Sequence, residues 1–123
     1  MRLTIYSLIS MALFKIYIDR DGLYRFLLKL NTRDIIFISL GFKTCLLCRK
    51  SLDIFKTSAV KDAAFKRFAA QCGRSYYNFK NVNSNQTIGV SELFLNKAFM
   101  ERQITLIKKN AKDALIDTSI YTS

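Results

Sequence analysis

The feature that most constrains this chain is a recurrence at a fixed distance of 52 residues. Asn31 and Asn83, Ser39 and Ser91, Phe42 and Phe94, and Lys56 and Lys108 each stand 52 apart. So do Thr44 and Asn96, each of which precedes an apolar stripe at helical spacing. Cys48, Leu52, Phe55 and Ala59 make the first stripe, and Met100, Ile104, Ile107 and Ala111 the second. In the second strand of each half the offset falls to 51, from Lys29 to Lys80, so one turn differs by a residue. Turns, caps and stripes in one register predict two copies of one supersecondary unit, each completing the core of the other.

The first copy begins with an alternating segment over residues 14–19, with Phe14, Ile16 and Ile18 on one face, as in a half-buried strand. Asp19-Arg-Asp-Gly22 reads as a turn ending in a residue free to take positive φ. A second strand is expected over residues 24–30 and, past a turn at Asn31, a third over 35–40. Three strands joined by short turns predict an antiparallel meander. From Thr44 the period changes to that of an amphipathic helix of about four turns. In the second copy the strands fall at residues 65–71, 76–80 and 87–93, followed by a helix capped by Asn96. The expectation is an α+β domain, two tandem repeats forming one antiparallel sheet with both helices on one face.

The repeats occupy about residues 12–62 and 63–118 of a single domain, with a tail at 119–123. Half of the 123 residues are hydrophobic, enough for a real core. Residues 1–11 read as a leader and Met11 as an alternative start. The apolar run from Leu3 to Phe14 is broken by Thr4, Ser7 and Ser10, has no small-x-small cleavage pattern, and is shorter than a membrane span. A cytoplasmic location without a membrane span is the expectation. Self-completing repeats predict a monomer.

At this point the residues resemble a known family. Phe14-Lys-Ile-Tyr-Ile-Asp-Arg-Asp-Gly-Leu-Tyr-Arg-Phe-Leu-Leu-Lys29 is similar to the opening of the YegP-like proteins, small bacterial and archaeal proteins of unknown function. Tyr76-Tyr-Asn-Phe-Lys80, Asn83 and Ile88-Gly-Val-Ser91 repeat that pattern, and Leu115-Ile-Asp-Thr118 resembles the closing strand. The resemblance implies β3-α-β repeats that lend each other their last strands, at residues 65–71 and 115–118. It implies no activity or cofactor. Where members usually carry Gly-Ile-x-Ser-Val in the helices, this chain has Ser51-Leu-Asp-Ile-Phe55 and Gln103-Ile-Thr-Leu-Ile107. These bulkier residues predict a wider helix–sheet gap or a shifted helix.

The charge balance and the absences bound the function. Twenty Lys and Arg against nine Asp and Glu give a net charge of +11, which favours acidic partners or nucleic acid. With no histidine, the usual neutral-pH base and the commonest metal ligand are missing, so no catalytic, cofactor or metal site is expected. Three cysteines, an odd number, make no disulfide framework. Cys45-x-x-Cys48 at a helix start makes Cys45 a weak redox candidate, although Cys48 lies on the buried stripe. Asp19, Asp21 and Asp34 sit in turns, and Ser39 and Ser91 lack a base partner.

Strand parity puts Lys15 and Tyr17 opposite Phe14 and Ile16, and Arg25 and Lys29 opposite Phe26 and Leu28. With Lys66, Lys80 and Tyr77, these outline a basic, aromatic sheet face of the sort that binds single-stranded nucleic acid. The leading expectation is nevertheless a non-enzymatic structural or protein-interaction module with an unidentified protein partner. Nucleic-acid binding through Lys15, Tyr17, Arg25, Lys29, Lys66 and Lys80 is the alternative, and thiol redox chemistry the weaker one.

Overall fold

The computed structural model describes residues 12–31 and 33–122. The expected leader at residues 1–11 and the alternative start at Met11 lie outside the described residues. Three strands, β1 (Leu13–Ile18), β2 (Tyr24–Leu30) and β3 (Asp34–Ile38), lead into helix α1 (Cys45–Ser58). Strands β4 (Phe65–Ala69), β5 (Ser75–Lys80) and β6 (Thr87–Val90) lead into α2 (Lys97–Asn110), and β7 (Leu115–Thr122) closes the order. The helices begin and end 52 residues apart. Both are capped as expected, Thr44 Oγ1 accepting from the Leu47 amide and Asn96 Oδ1 from the Phe99 amide.

The strands form two sheets, where a single antiparallel one is expected. One has the order β3-β2-β1-β7 and the other β4-β5-β6. Each meander carries a register shift in its last pairing, which leaves Ile36 and Ile88 as bulged residues. A bulge sharpens local twist and ends pairing, so β3 and β6 meet without forming a ladder. The strands β3 and β6 also stop short of the expected 40 and 93, at Ile38 and Val90. A serine clip follows each. The Ser39 Oγ accepts from the Phe26 amide at 2.9 Å and donates to the Leu40 carbonyl, while Ser91 Oγ does the same with Tyr77 and Glu92.

The second departure is direction. Strand β7 runs parallel to β1, with Phe14 beside Ile116 and Tyr17 beside Tyr121. Strands joined by short turns must be antiparallel, but β7 reaches β1 only after a helix, so its direction is free. It also extends through Thr122, so residues 119–122 belong to a strand and not to a tail.

Both helices pack on the same side of the strands. Cys48, Leu52 and Phe55 of α1 and Met100, Ile104 and Ile107 of α2 share one core with Phe14, Phe26, Leu28, Phe37 and Phe79. Lys56 of α1 donates to the carbonyls of Ala111, Lys112 (2.7 Å) and Ala114 at the end of α2, where a cation suits the helix dipole. Lys108 of α2 reaches back to Asp62, just beyond α1. No helix among the described residues is long and apolar enough to cross a membrane.

At the seam the Leu40 amide bonds the Ile88 carbonyl at 2.8 Å, and Phe37 lies over Gly89. A Cβ at position 89 would run into the Phe37 ring and stand 3.2 Å from the Ile38 carbonyl oxygen. Gly89→Ala is therefore expected to destabilise the protein by about 1–3 kcal/mol through overpacking. Chemical denaturation of the variant checks this, and Phe37→Leu in the same chain should recover part of the loss.

Candidate functional site

Of the residues expected to form a basic sheet face, Lys15, Tyr17, Arg25, Lys29, Lys66 and Lys80 lie on the face turned away from the helices. On β1 and β2, Tyr17 stands beside Arg25 and Lys15 beside Leu27, while Phe14, Ile16, Phe26 and Leu28 are buried on the other side. Lys29 shares the parity of Arg25 and stands beside Ile35 of β3. On the second sheet Lys66 stands beside Asn78 and Lys80 beside Thr87. The six residues are spread over two sheets and form no single cluster.

Several are already engaged. Arg25 donates to Asp19 at 2.7 Å and to the Ser39 carbonyl at 3.1 Å. The Arg25 hydrogen bond and the Leu23 amide hold the Asp19 carboxyl below the usual carboxylate range. Lys15 Nζ sits 4.7 Å from the centre of the Tyr121 ring on β7. Burial pushes the Tyr17 phenol up.

Tyr77 does not belong to this face. It is 1 % exposed and points to the core, with Phe79 two residues on. The aromatic pair on the outer face is Phe68 and Tyr76, stacked at 5.0 Å, which sequence reasoning missed. The signal was present, since an apolar Phe79 fixes the parity of the whole strand and puts Tyr76, Asn78 and Lys80 outward.

Strand β4 is an outer edge of the three-stranded sheet, and Arg67 lies across it. Its guanidinium donates to Glu101 at 2.6 Å, to Asp62 at 2.9 Å and to the Phe65 carbonyl at 3.2 Å. An edge carbonyl occupied in this way is withdrawn from pairing with another chain. Lys108 and Arg67 together hold the Asp62 carboxyl down at about 2. A depressed carboxylate stabilises the fold above its unfolded value of about 4, and that contribution is lost as pH falls toward 2. Melting temperature should drop across this window, and Asp62→Asn should flatten the drop.

The thiols separate by environment. Cys48 is fully buried, and burial pushes its thiol up to about 12. Cys45 opens α1 and is half-buried, and Cys72 is exposed. Among the described residues no three Cys, Asp or Glu side chains gather as metal ligands do. Iodoacetamide at neutral pH should label Cys72 in the native protein and Cys48 only after unfolding, as read by mass spectrometry.

No family model matches the chain. It is 32% identical over 103 residues to a UPF0339 protein from the 5′ region of the ptx operon of Stutzerimonas stutzeri, covering 84% of this chain and 92% of that protein. A UPF0339 protein of Acinetobacter baylyi is 28% identical over 79% of this chain and 86% of its own. Two solution structures share the fold. The protein of unknown function yegP from E. coli has a TM-score of 0.80 at 21% identity, over 93% of this chain and 96% of that one. A UPF0339 protein of Shewanella oneidensis gives 0.76 at 20% identity, over 91% of both chains. None of these names carries an activity. The identity to the Stutzerimonas protein, sustained over nearly all of both sequences, places this chain in the UPF0339 family of YegP-like proteins of unknown function.

Proposed function

We propose that the protein is a non-enzymatic, cytoplasmic interaction module that offers the helix-free face of its strands to an acidic protein partner with an apolar stripe. The observation that carries this reading lies along the seam. Ile35, Ile38 and Val90 are 47, 42 and 46 % exposed and turn outward beside Lys29, Leu27 and Asn78. Arg25 and Lys29 lie on one side of that stripe and Lys66 and Lys80 on the other. An apolar centre with a charged rim is the usual make-up of a protein contact surface. With Phe68 and Tyr76 stacked on each other and Arg25 bound to Asp19, the aromatic and cationic groups that nucleic acid would use are partly taken.

The chain reads as a tandem duplication, with repeats at about 12–62 and 63–118. The matching serine clips, caps and crossing lysines support this reading. In it, β7 is the last strand of the second repeat lent to β1 of the first, and β4 is its counterpart after α1. A chain that completes itself in this way is a monomer.

Fluorescence anisotropy tests the proposal with a Glu/Leu amphipathic peptide and with single-stranded and duplex oligonucleotides across a salt series. The peptide should bind, and binding should weaken about tenfold when Ile38 and Val90 become serine or Lys29 and Lys80 become glutamate. Oligonucleotide binding that falls steeply with salt, depends on Arg25, Lys29 and Lys80 and ignores Ile38 would replace this reading with nucleic-acid recognition.

A further inference from the structure

The two ends of the seam between β3 and β6 are built from corresponding residues, and they differ. At one end the Leu40 amide closes on the bulged carbonyl of Ile88. The counterpart of Leu40 is Glu92 and that of Ile88 is Ile36, each 52 residues away. That second bond is not made. Instead Gln103 of α2 reaches down and donates from Nε2 to the Ile36 carbonyl at 3.0 Å. Its counterpart on α1 is Ser51, a much shorter side chain. The Glu92 amide has no backbone partner among the described residues.

The end held apart by Gln103 is a cavity of about 290 Å³, close to the lower limit for small-molecule sites. Its rim carries Ile35, Ile38 and Val90, and the buried Ile36 and Phe37 also line it. Tyr77 lines it too, and corresponds to Phe26. The equivalence is fixed by structure, since both residues donate their amides to the serine clip. Phe26 and Tyr77 are equally buried, yet the second half carries a hydroxyl there.

The polar residues lining this cavity are Tyr77, Ser91, Glu92 and Gln103, of which only Glu92 is charged, and Gln103 spends its Nε2 on the Ile36 carbonyl. No Lys or Arg lines it, although the chain carries twenty of them. We propose that the slot between β3 and β6 binds a small organic cation, an ammonium group on an apolar body, with the ammonium at Glu92 and Tyr77 and the body between Ile35, Ile38 and Val90. Two counterpart positions support the assignment, because Phe26 and Leu40 are apolar where Tyr77 and Glu92 are polar. Charge-assisted bonds to a carboxylate would orient such a ligand in an otherwise apolar slot. The slot shares Ile35, Ile38 and Val90 with the proposed protein contact and is told apart from it by Glu92 and Tyr77, which that contact does not use.

Titration of the isotope-labelled full chain by two-dimensional NMR tests the site, with 2-phenylethylammonium as the probe and 3-phenylpropanoate as its charge-reversed match. The ammonium should give saturable shifts at the amides of Ile36, Val90 and Glu92, and the carboxylate none. Glu92→Gln and Tyr77→Phe should each weaken binding by about fivefold or more. Both variants should keep a dispersed spectrum, because Glu92 is exposed and phenylalanine already fills the counterpart of Tyr77. Equal shifts with both probes, no saturation up to about 10 mM, or affinity unchanged in Glu92→Gln would each overturn the proposal.

Discussion

One ring holds the two sheets together. Phe55, on the inner face of α1, lies 5.9 Å from Phe14, 5.5 Å from Phe26, 4.2 Å from Phe37 and 4.4 Å from Phe79, measured between ring centres. The first three rings belong to one sheet and the last to the other. Strands that do not share a ladder have little else to fix their separation, because edge pairing supplies both attraction and register. Here the buried aromatic cluster supplies the attraction, and a single backbone bond, Leu40 to Ile88, supplies the register. Glycine at 89 is a consequence, since Phe37 can reach the cluster only by lying over that backbone.

The counterpart of Phe55 is Ile107, also fully buried but smaller and without a ring. The two helices therefore contribute unequally, with an aromatic ring from α1 where α2 supplies an isoleucine. On the α2 side a polar side chain, Gln103, spans from the helix to a bulged strand carbonyl. A buried or half-buried carbonyl left unpaired by a bulge must find a donor. The second half, at Ile88, found one in a backbone amide across the seam, and the first, at Ile36, in a side chain from the helix above. That difference in donor is what leaves one end of the seam closed and the other open.

Much of this fold was legible in the sequence because much of it is local. Alternation located β1, β2 and β5 to within a residue or two, and the helical stripes named the buried apolar residues of both helices but not Ser58. Thr44 and Asn96 cap those helices through the side chains that mark them as caps. The misreadings arose where non-local geometry decides. Nothing in the alternation of residues 87–93 marks Ile88 as the bulge or Ser91 as the clip that ends the strand. The pattern of 115–118 likewise does not say that the strand runs parallel to β1 or continues through Thr122. Tyr77 was misplaced for a different reason. A tyrosine in a basic chain looks like an outward aromatic, and only its spacing from Phe79 places it in the core.

Among the candidate groups, chemistry gave way to packing wherever a residue had a counterpart doing the same job. Cys48 corresponds to Met100, and both are buried on the same helical stripe, so a thiol there is one way to fill a core position. Ser39 and Ser91 make the same three hydrogen bonds, and their hydroxyls are spent on backbone groups. Correspondence between halves thus acts as an internal control, since what both halves do is explained by the fold they share. What only one half does needs a cause of its own. Tyr77 against Phe26, Glu92 against Leu40 and Gln103 against Ser51 are three such differences, and the folded chain brings all three to one slot. Independent drift on a surface would scatter substitutions of this sort. Their convergence on one cavity marks that slot as the part of the molecule that the architecture common to the two halves does not explain.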